Sequence, residues 1–238
     1  MEANQSTQPQ QILVIAAHAD DIEFGMAGTV ARWTSEGHTV TYCIITDGSA
    51  GSNDPDVQPR ELIATRRDEQ IAAAAVVGVT DVRFLGYTDG SLQPTIALRR
   101  ELTRLIRDVK PYRVICQDPT TVFVDTNYIN HPDHRAAGEA AIYAVFPSAE
   151  TRPIFPELLS EGFAPHKVSE LWLTLTTTDD QYIDVTDFMD RKIESLLCHR
   201  SQVGPEAAEW IKQWNAEAGQ KAGCAFAEGF RVMRFVDN

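Results

Sequence analysis

Ile12-Leu13-Val14-Ile15-Ala16-Ala17-His18-Ala19-Asp20-Asp21 is the stretch from which the rest of the chain is read: an unbroken apolar run that stops on an imidazole and two adjacent carboxylates. A short apolar run bounded by polar residues reads as a buried strand of a parallel sheet. In open α/β sheets, ligands collect outside the carboxyl ends of such strands. A His and two Asp standing there are well placed for metal chemistry.

Outward from that strand, residues 24–36 carry apolar side chains at helical spacing (Phe24, Ala27, Val30, Ala31, Trp33), and Gly37 marks the stop. Gly25 and Gly28 do not make a dinucleotide fingerprint, which needs a glycine-rich turn directly after the strand; here that turn is His-Ala-Asp-Asp. The β-branched run 39–46 is a second strand, and 47–59 is a polar loop. A helix over 60–77 ends at Gly78, a short strand follows over 82–85, and the turn 86–90 leads to a helix over 95–109. Residues 113–116 form a strand, and His131-Pro132-Asp133-His134 opens an alanine-rich helix to about 145. This alternation predicts an α/β domain with a parallel, doubly wound sheet. The last third is less regular: a loop over 152–165, a strand over 170–176, helices over 187–198 and 206–220, and a closing strand over 226–235. We expect one domain over 11–238, with 1–10 a loose tail.

The bulk properties bound the class. A chain of 238 residues, 43% hydrophobic, suits one large α/β domain with a sizeable core. A net charge of -13 and a pI near 4.8 argue against nucleic acid as a partner, while leaving room for a local basic pocket for one anionic substrate. Cys43, Cys116, Cys198 and Cys224 lie far apart without a CxxC pair, and the first two sit in apolar strand-like runs, so buried free thiols are expected there. No apolar run reaches the length of a membrane span, and 1–10 lacks the apolar core of a signal peptide. The expectation is a soluble, cytoplasmic protein.

Histidines and carboxylates are then asked whether they converge. His18 and Asp21 leave one strand end on a single turn, and His134 comes from another strand-to-helix junction, where Pro132 suits the first helical position. Right-handed crossovers place such junctions on one edge of the sheet. His18, Asp21 and His134 then form a two-His, one-carboxylate set with open positions, suited to catalytic zinc or a ferrous ion. Asp20 and Asp21 cannot both aim at one metal from a short turn, so Asp20 is left to act as general base. His131 faces the same pocket, to donate to an oxyanion or protonate a leaving amine, and Asp133 is placed to orient it. Read separately, each motif is also an ordinary polar helix start, its carboxylates serving free N–H groups. The other histidines read as peripheral: His38 as an exposed helix end, His166 in a proline-rich loop, His199 as a solvated helix end.

With these residues in view, Ala17-His18-Ala19-Asp20-Asp21 followed by Glu23-Phe24-Gly25-Met26-Ala27-Gly28-Thr29 resembles the opening motif of the LmbE-like, or PIG-L, zinc deacetylases. The resemblance continues through Thr46-Asp47-Gly48, Arg66-Arg67-Asp68-Glu69, Phe84-Leu85-Gly86-Tyr87, His131-Pro132-Asp133-His134-Arg135-Ala136 and His199-Arg200-Ser201-Gln202. It implies a Rossmann-like fold and hydrolysis of an N-acetyl group on N-acetylglucosamine or its conjugates. It carries zinc onto His18, Asp21 and His134, the general base onto Asp20, and an imidazole–aspartate pair onto His131 and Asp133. Ala19 stands where the family usually has Pro, a side chain that supplies no chemistry. Arg66 and Asp89 match positions that approach the sugar in relatives, their alternative being plain surface charge. Arg152 is placed to support His131 or touch substrate. The resemblance also implies a homo-oligomer.

The expected activity is zinc-dependent N-deacetylation of a small amino-sugar substrate. The alternatives are amide cleavage of an amino-sugar thiol conjugate on the same metal, a Rossmann-like module that holds a nucleotide without catalysis, and a protein in which the metal is structural. The turn after Ala17 lacks the glycines the nucleotide module needs.

Overall fold

The computed structural model describes residues 8–124 and 126–235. Of the expected tail, 1–7 lies outside the described residues; Gln10 N–H already donates to His38 Nδ1 at 3.0 Å. In chain order the elements are β1 (Gln11–Ala16), α1 (Asp21–Gly25), α2 (Ala27–Ser35), β2 (Thr39–Thr46), α3 (Pro59–Val76), β3 (Asp81–Tyr87), α4 (Ile96–Val109) and β4 (Arg113–Gln117). They continue with β5 (Phe123–Val124), β6 (Tyr128–Ile129), α5 (Pro132–Tyr143), α6 (Glu157–Ser160), β7 (Glu170–Thr174), β8 (Gln181–Asp184), α7 (Met189–Leu196), α8 (Ala207–Ala222) and β9 (Ala227–Arg234). No helix among the described residues is long and apolar enough to cross a membrane.

The main sheet has seven strands in the order β3-β2-β1-β4-β7-β9-β8. Strands β3, β2, β1, β4 and β7 pair in parallel, and β9 runs antiparallel to both β7 and β8. The fold is therefore α/β and Rossmann-like, as expected, with an antiparallel extension at one edge. β1 lies inside the sheet between β2 and β4, which shows why its sequence is continuously apolar. Leu13 and Ile15 join a core with Leu98, Leu102, Ala137 and Ala141, from α4 and α5 on one face. Ile12 and Val14 join Val30, Ala31 and Trp33 from α2 on the other. Side chains alternate across a strand, so a strand covered on both faces needs apolar residues at every position.

Several boundaries differ from the sequence reading. The helix expected over 24–36 is two helices, because Met26 leaves helical geometry with φ -156 and ψ 11. The strand expected to 176 stops at Thr174, where Leu175 takes a left-handed φ of 53. β8 and the small β5–β6 hairpin were not foreseen; each is short, and the hairpin strands pair through two residues apiece. Cys43 and Cys116 are buried and free, as expected.

Candidate active site

The parallel strands end on one edge, and the residues singled out above gather there. The rings of His18, His131 and His134 lie 4.7, 5.1 and 5.4 Å apart, centroid to centroid. The Asp21 carboxylate sits between two of them. Its Oδ2 accepts the His18 backbone N–H at 2.7 Å and lies 3.5 Å from His18 Nδ1. Its Oδ1 is 3.0 Å from His134 Nε2. The neighbouring turn residue, Asp20, has φ 88, and its carboxylate turns toward Arg66, with Oδ2 3.4 Å from Nη2. The left-handed backbone at Asp20 points the two adjacent carboxylates in different directions.

His134 is held from behind. Asn130 Nδ2 donates to the Thr121 carbonyl at 2.8 Å, which turns Oδ1 toward His134 Nδ1 at 3.0 Å. With Nδ1 engaged by Asn130, the ring turns Nε2 toward Asp21. His131 caps α5: its Nδ1 accepts the Asp133 backbone N–H at 3.2 Å, so a neutral ring carries its hydrogen on Nε2. Burial, then the neighbouring His18, holds its pKa below the usual histidine value.

Asp133 is fully buried but does not orient His131 as the sequence suggested. The Gly90 and Leu92 N–H groups donate to its two oxygens at 2.7 and 3.1 Å, and Oδ2 lies 3.4 Å from His18 Nε2. The helical turn explains the correction. Asp133 follows Pro132 inside α5 and points into the sheet edge, whereas His131 precedes the helix and receives the main-chain amide. Asp89 is drawn in as well: its Oδ1 is 3.1 Å from His18 Nε2 and its Oδ2 is 3.7 Å from Arg66 Nη1.

Arg66 is 5% exposed and therefore no surface charge. Its Nη2 donates to the Ala19 carbonyl at 2.9 Å, and its Nη1 to the Gly48 carbonyl at 3.3 Å. Gly48 has φ +70, and a Cβ there would lie 2.9 Å from Arg66 Cδ, so a larger residue would push the guanidinium off its seat. Arg152, by contrast, is exposed. Buried Arg107, in the last turn of α4, donates to the carbonyls of Ser148, Ala149, Thr151 and Ile154, tying that segment to the opposite edge of the sheet.

The electrostatics suit a cation. Asp20, Asp21, Asp89 and Asp133 meet with three imidazoles, and the permanent cation touching these carboxylates among the described residues is Arg66. Burial alone would lower the His18 pKa, yet Asp21, Asp133 and Asp89 hold it up at about 12. Burial, then Asp21, pushes Asp20 up to about 7 against the pull of Arg66. Among the described residues, two sets of donor atoms lie within 4.8 Å of one another: His18 with His131 and His134, and His18 with Asp89 and Asp133; the expected set of His18, Asp21 and His134 is not one of them. Both oxygens of Asp133 receive backbone amides and Asp89 faces Arg66, while Asp21 lies between two rings; burial would raise its carboxyl, yet His134 and His18 hold it well below the usual carboxylate range.

The sequence reading missed the supporting residues. Asn130 stands directly before His131, and that adjacency was its available signal. His199, read as a solvated helix end, is fully buried, with Nε2 3.1 Å from Glu23 Oε2.

The chain matches the GlcNAc-PI de-N-acetylase (PIG-L) family model over residues 13–145. It belongs to that family. It is 31% identical over 229 residues to a diacetylchitobiose deacetylase of Thermococcus kodakarensis, covering 94% of this chain and 83% of that one. A probable N-acetyl-alpha-D-glucosaminyl L-malate deacetylase of Bacillus anthracis is 26% identical over 233 residues, covering 96% and 97%. Among solved structures, the N,N'-diacetylchitobiose deacetylase from Pyrococcus horikoshii superposes with a TM-score of 0.88 at 31% identity, covering 94% of this chain and 84% of that one. These PIG-L relatives are deacetylases by name, and they match this member across both halves of the site and beyond.

Proposed function

We propose that this PIG-L member is a zinc-dependent hydrolase that removes the acetyl group from an N-acetylglucosamine-type amino sugar or its conjugate. The observation that carries the reading is the meeting of His18 and His134 about the Asp21 carboxylate, with Asp20 turned aside against Arg66. When held by His18, Asp21 and His134, zinc supplies an acidified water and a Lewis acid for the acetamide carbonyl. Asp20 takes the proton of the attacking water, and a carboxyl raised to about 7 suits a base that works near neutrality. As the water oxygen bonds to the carbonyl carbon, the carbonyl oxygen gains charge, and the Nε2–H of His131 is the donor for it. The C–N bond then breaks, the proton held by Asp20 passes to the nitrogen, and acetate and a free amine leave. Arg66 restrains Asp20 throughout, and Asp89 anchors Arg66.

The test is acetate release from N-acetylglucosamine, N,N'-diacetylchitobiose and larger N-acetylglucosaminyl conjugates, with and without a chelator. Activity should vanish on chelation, return with zinc, and fall about 10²- to 10⁴-fold in Asp20→Asn. Activity that survives chelation, or survives Asp20→Asn intact, refutes the reading. Self-association goes with it, supported by Phe123 and Ile129, which face solvent at 67% and 71% exposure beside the site. Light scattering that returns a monomer mass would refute that part.

A further inference from the structure

Behind Asp20 runs a buried chain of hydrogen bonds that the chemistry above does not use. His199 Nε2 lies 3.1 Å from Glu23 Oε2. Gln70 Nε2 donates to Glu23 Oε1 at 3.0 Å, and the Asp20 backbone N–H donates to Gln70 Oε1 at 3.1 Å. His199, Glu23 and Gln70 are each 0% exposed.

We propose that His199, Glu23 and Gln70 form a positioning relay that fixes the Asp20 main chain, and through it the direction of the Asp20 carboxylate. The proposal rests on the deacetylase reading, in which Asp20 is the base.

The direction of each bond follows from the chemistry of the groups. A carboxylate has no hydrogen to give, so Glu23 accepts at both oxygens. His199 must therefore carry a hydrogen on Nε2, and Gln70 must turn its NH₂ toward Glu23. That leaves Gln70 Oε1 facing the Asp20 amide. An amide side chain has two nearly isosteric orientations, and its partners choose between them. Here Glu23 makes the choice, and His199 holds Glu23. Glu23 lies in α1, immediately after the site turn, and Gln70 lies in α3, one helical turn beyond Arg66. Ser195 Oγ donates to the Ala73 carbonyl at 2.9 Å, fastening the helix that leads to His199 against α3. Asp20 needs such a holder, because a non-glycine residue at φ 88 sits in a sparsely populated region. Arg66 grips its carboxylate from one side, and Gln70 grips its amide from the other.

Stability alone does not explain the arrangement. A buried His–Glu pair can often be replaced by apolar packing with no net loss. Among the described residues His199 Nδ1 finds no hydrogen-bond partner, so the ring is buried with one nitrogen unsatisfied. Burial would lower the His199 pKa, yet Glu23 holds it above the ordinary value. The chain of bonds ends on the one turn residue whose orientation the hydrolysis depends on.

The experiment uses full-length, zinc-loaded protein. Gln70→Met removes both amide bonds at nearly constant volume. We expect kcat to fall tenfold or more, with KM and zinc stoichiometry within twofold of wild type. In an Asp20→Asn background the same change should cost less than twofold, because two residues that act as a unit do not lose activity multiplicatively. Independently, His199→Gln keeps an N–H for Glu23 and should recover at least tenfold in kcat over His199→Phe. Multiplicative losses in the cycle, or equal losses in the two His199 variants, overturn the relay. If wild-type zinc protein releases no acetate from any N-acetyl sugar, the deacetylase reading itself fails and the relay falls with it. An active wild type with multiplicative losses sinks the relay alone.

Discussion

Replacing Asn130 by alanine tests the ligand set without touching a ligand. Asn130 is 5% exposed and accepts from His134 Nδ1 at 3.0 Å. It is itself fixed by its own bond to the Thr121 carbonyl at 2.8 Å. In the alanine variant His134 keeps its place at the start of α5, but its ring loses the acceptor that sets tautomer and orientation. Removing such a partner costs about 10- to 100-fold in metal affinity, or about 1.4–2.7 kcal/mol. The bond is short and buried, so the upper half of that range is expected. Asn130→Asp keeps an acceptor and adds charge, and should bind zinc at least as tightly as wild type. The assay is a zinc titration in competition with a chromophoric chelator at fixed pH, with circular dichroism as the check on folding. An Asn130→Ala protein that folds and binds zinc within twofold of wild type refutes the reasoning. Asp89→Asn, run alongside, separates the rival set. A larger loss there than in Asn130→Ala would move the ion onto His18, Asp89 and Asp133.

Other consequences are open to measurement. The metal-free protein keeps His18 protonated to about pH 12, so zinc must displace a proton. Affinity should tighten roughly tenfold per pH unit between pH 6 and 8, read by calorimetry in buffers of different ionisation enthalpy. His18 and His199 both have folded pKa values above their unfolded ones, so their contribution is complete below about pH 6.5 and drains away as pH rises toward the folded values. Urea melts of the metal-free protein should therefore show stability falling from pH 6.5 upward. Lys192→Met strips Glu228 of a cation 2.5 Å away, in a pair that is 0% and 1% exposed. Glu228 still accepts from the Gly28 and Thr29 amides, and the expected loss of about 3–5 kcal/mol should be partly recovered in Lys192→Met/Glu228→Gln. Arg152→Ala should leave kcat/KM within twofold, since Arg152 is exposed and its neighbours Thr151 and Ile154 are tied by their carbonyls to Arg107 in α4.

What was legible in the sequence follows from how local each feature is. β1 could be read because its two faces are both covered and its apolar run is therefore continuous, and the chemistry stands where that run stops. The convergence of His18 with His134 was legible because a parallel sheet brings its strand ends to one edge whatever the intervening loops do. The pairing of Asp133 with His131 went wrong for a related reason. An imidazole that donates to an oxyanion calls for an acceptor at its other nitrogen, but the helix start sends the Asp133 side chain into the sheet edge and gives His131 Nδ1 the Asp133 backbone N–H instead. β8 escaped notice because its ladder partner, β9, lies more than forty positions along the chain and no turn signal joins them.

The residues behind the site were the least legible, and physics says why. Glu23 and Gln70 are polar positions in helices, and from sequence a polar helical position reads as solvent-facing. Burial reverses that reading only when partners on other helices satisfy every polar atom. His199 lies 176 residues from Glu23, so no periodicity connects them. The hint available was mechanical. Asp20 must adopt a left-handed backbone to keep its carboxylate apart from that of Asp21, and such a conformation persists only where surrounding structure over-determines it. A site that depends on dividing two adjacent carboxylates therefore requires a second layer to hold the division. The sequence names the carboxylates, and the fold supplies the layer.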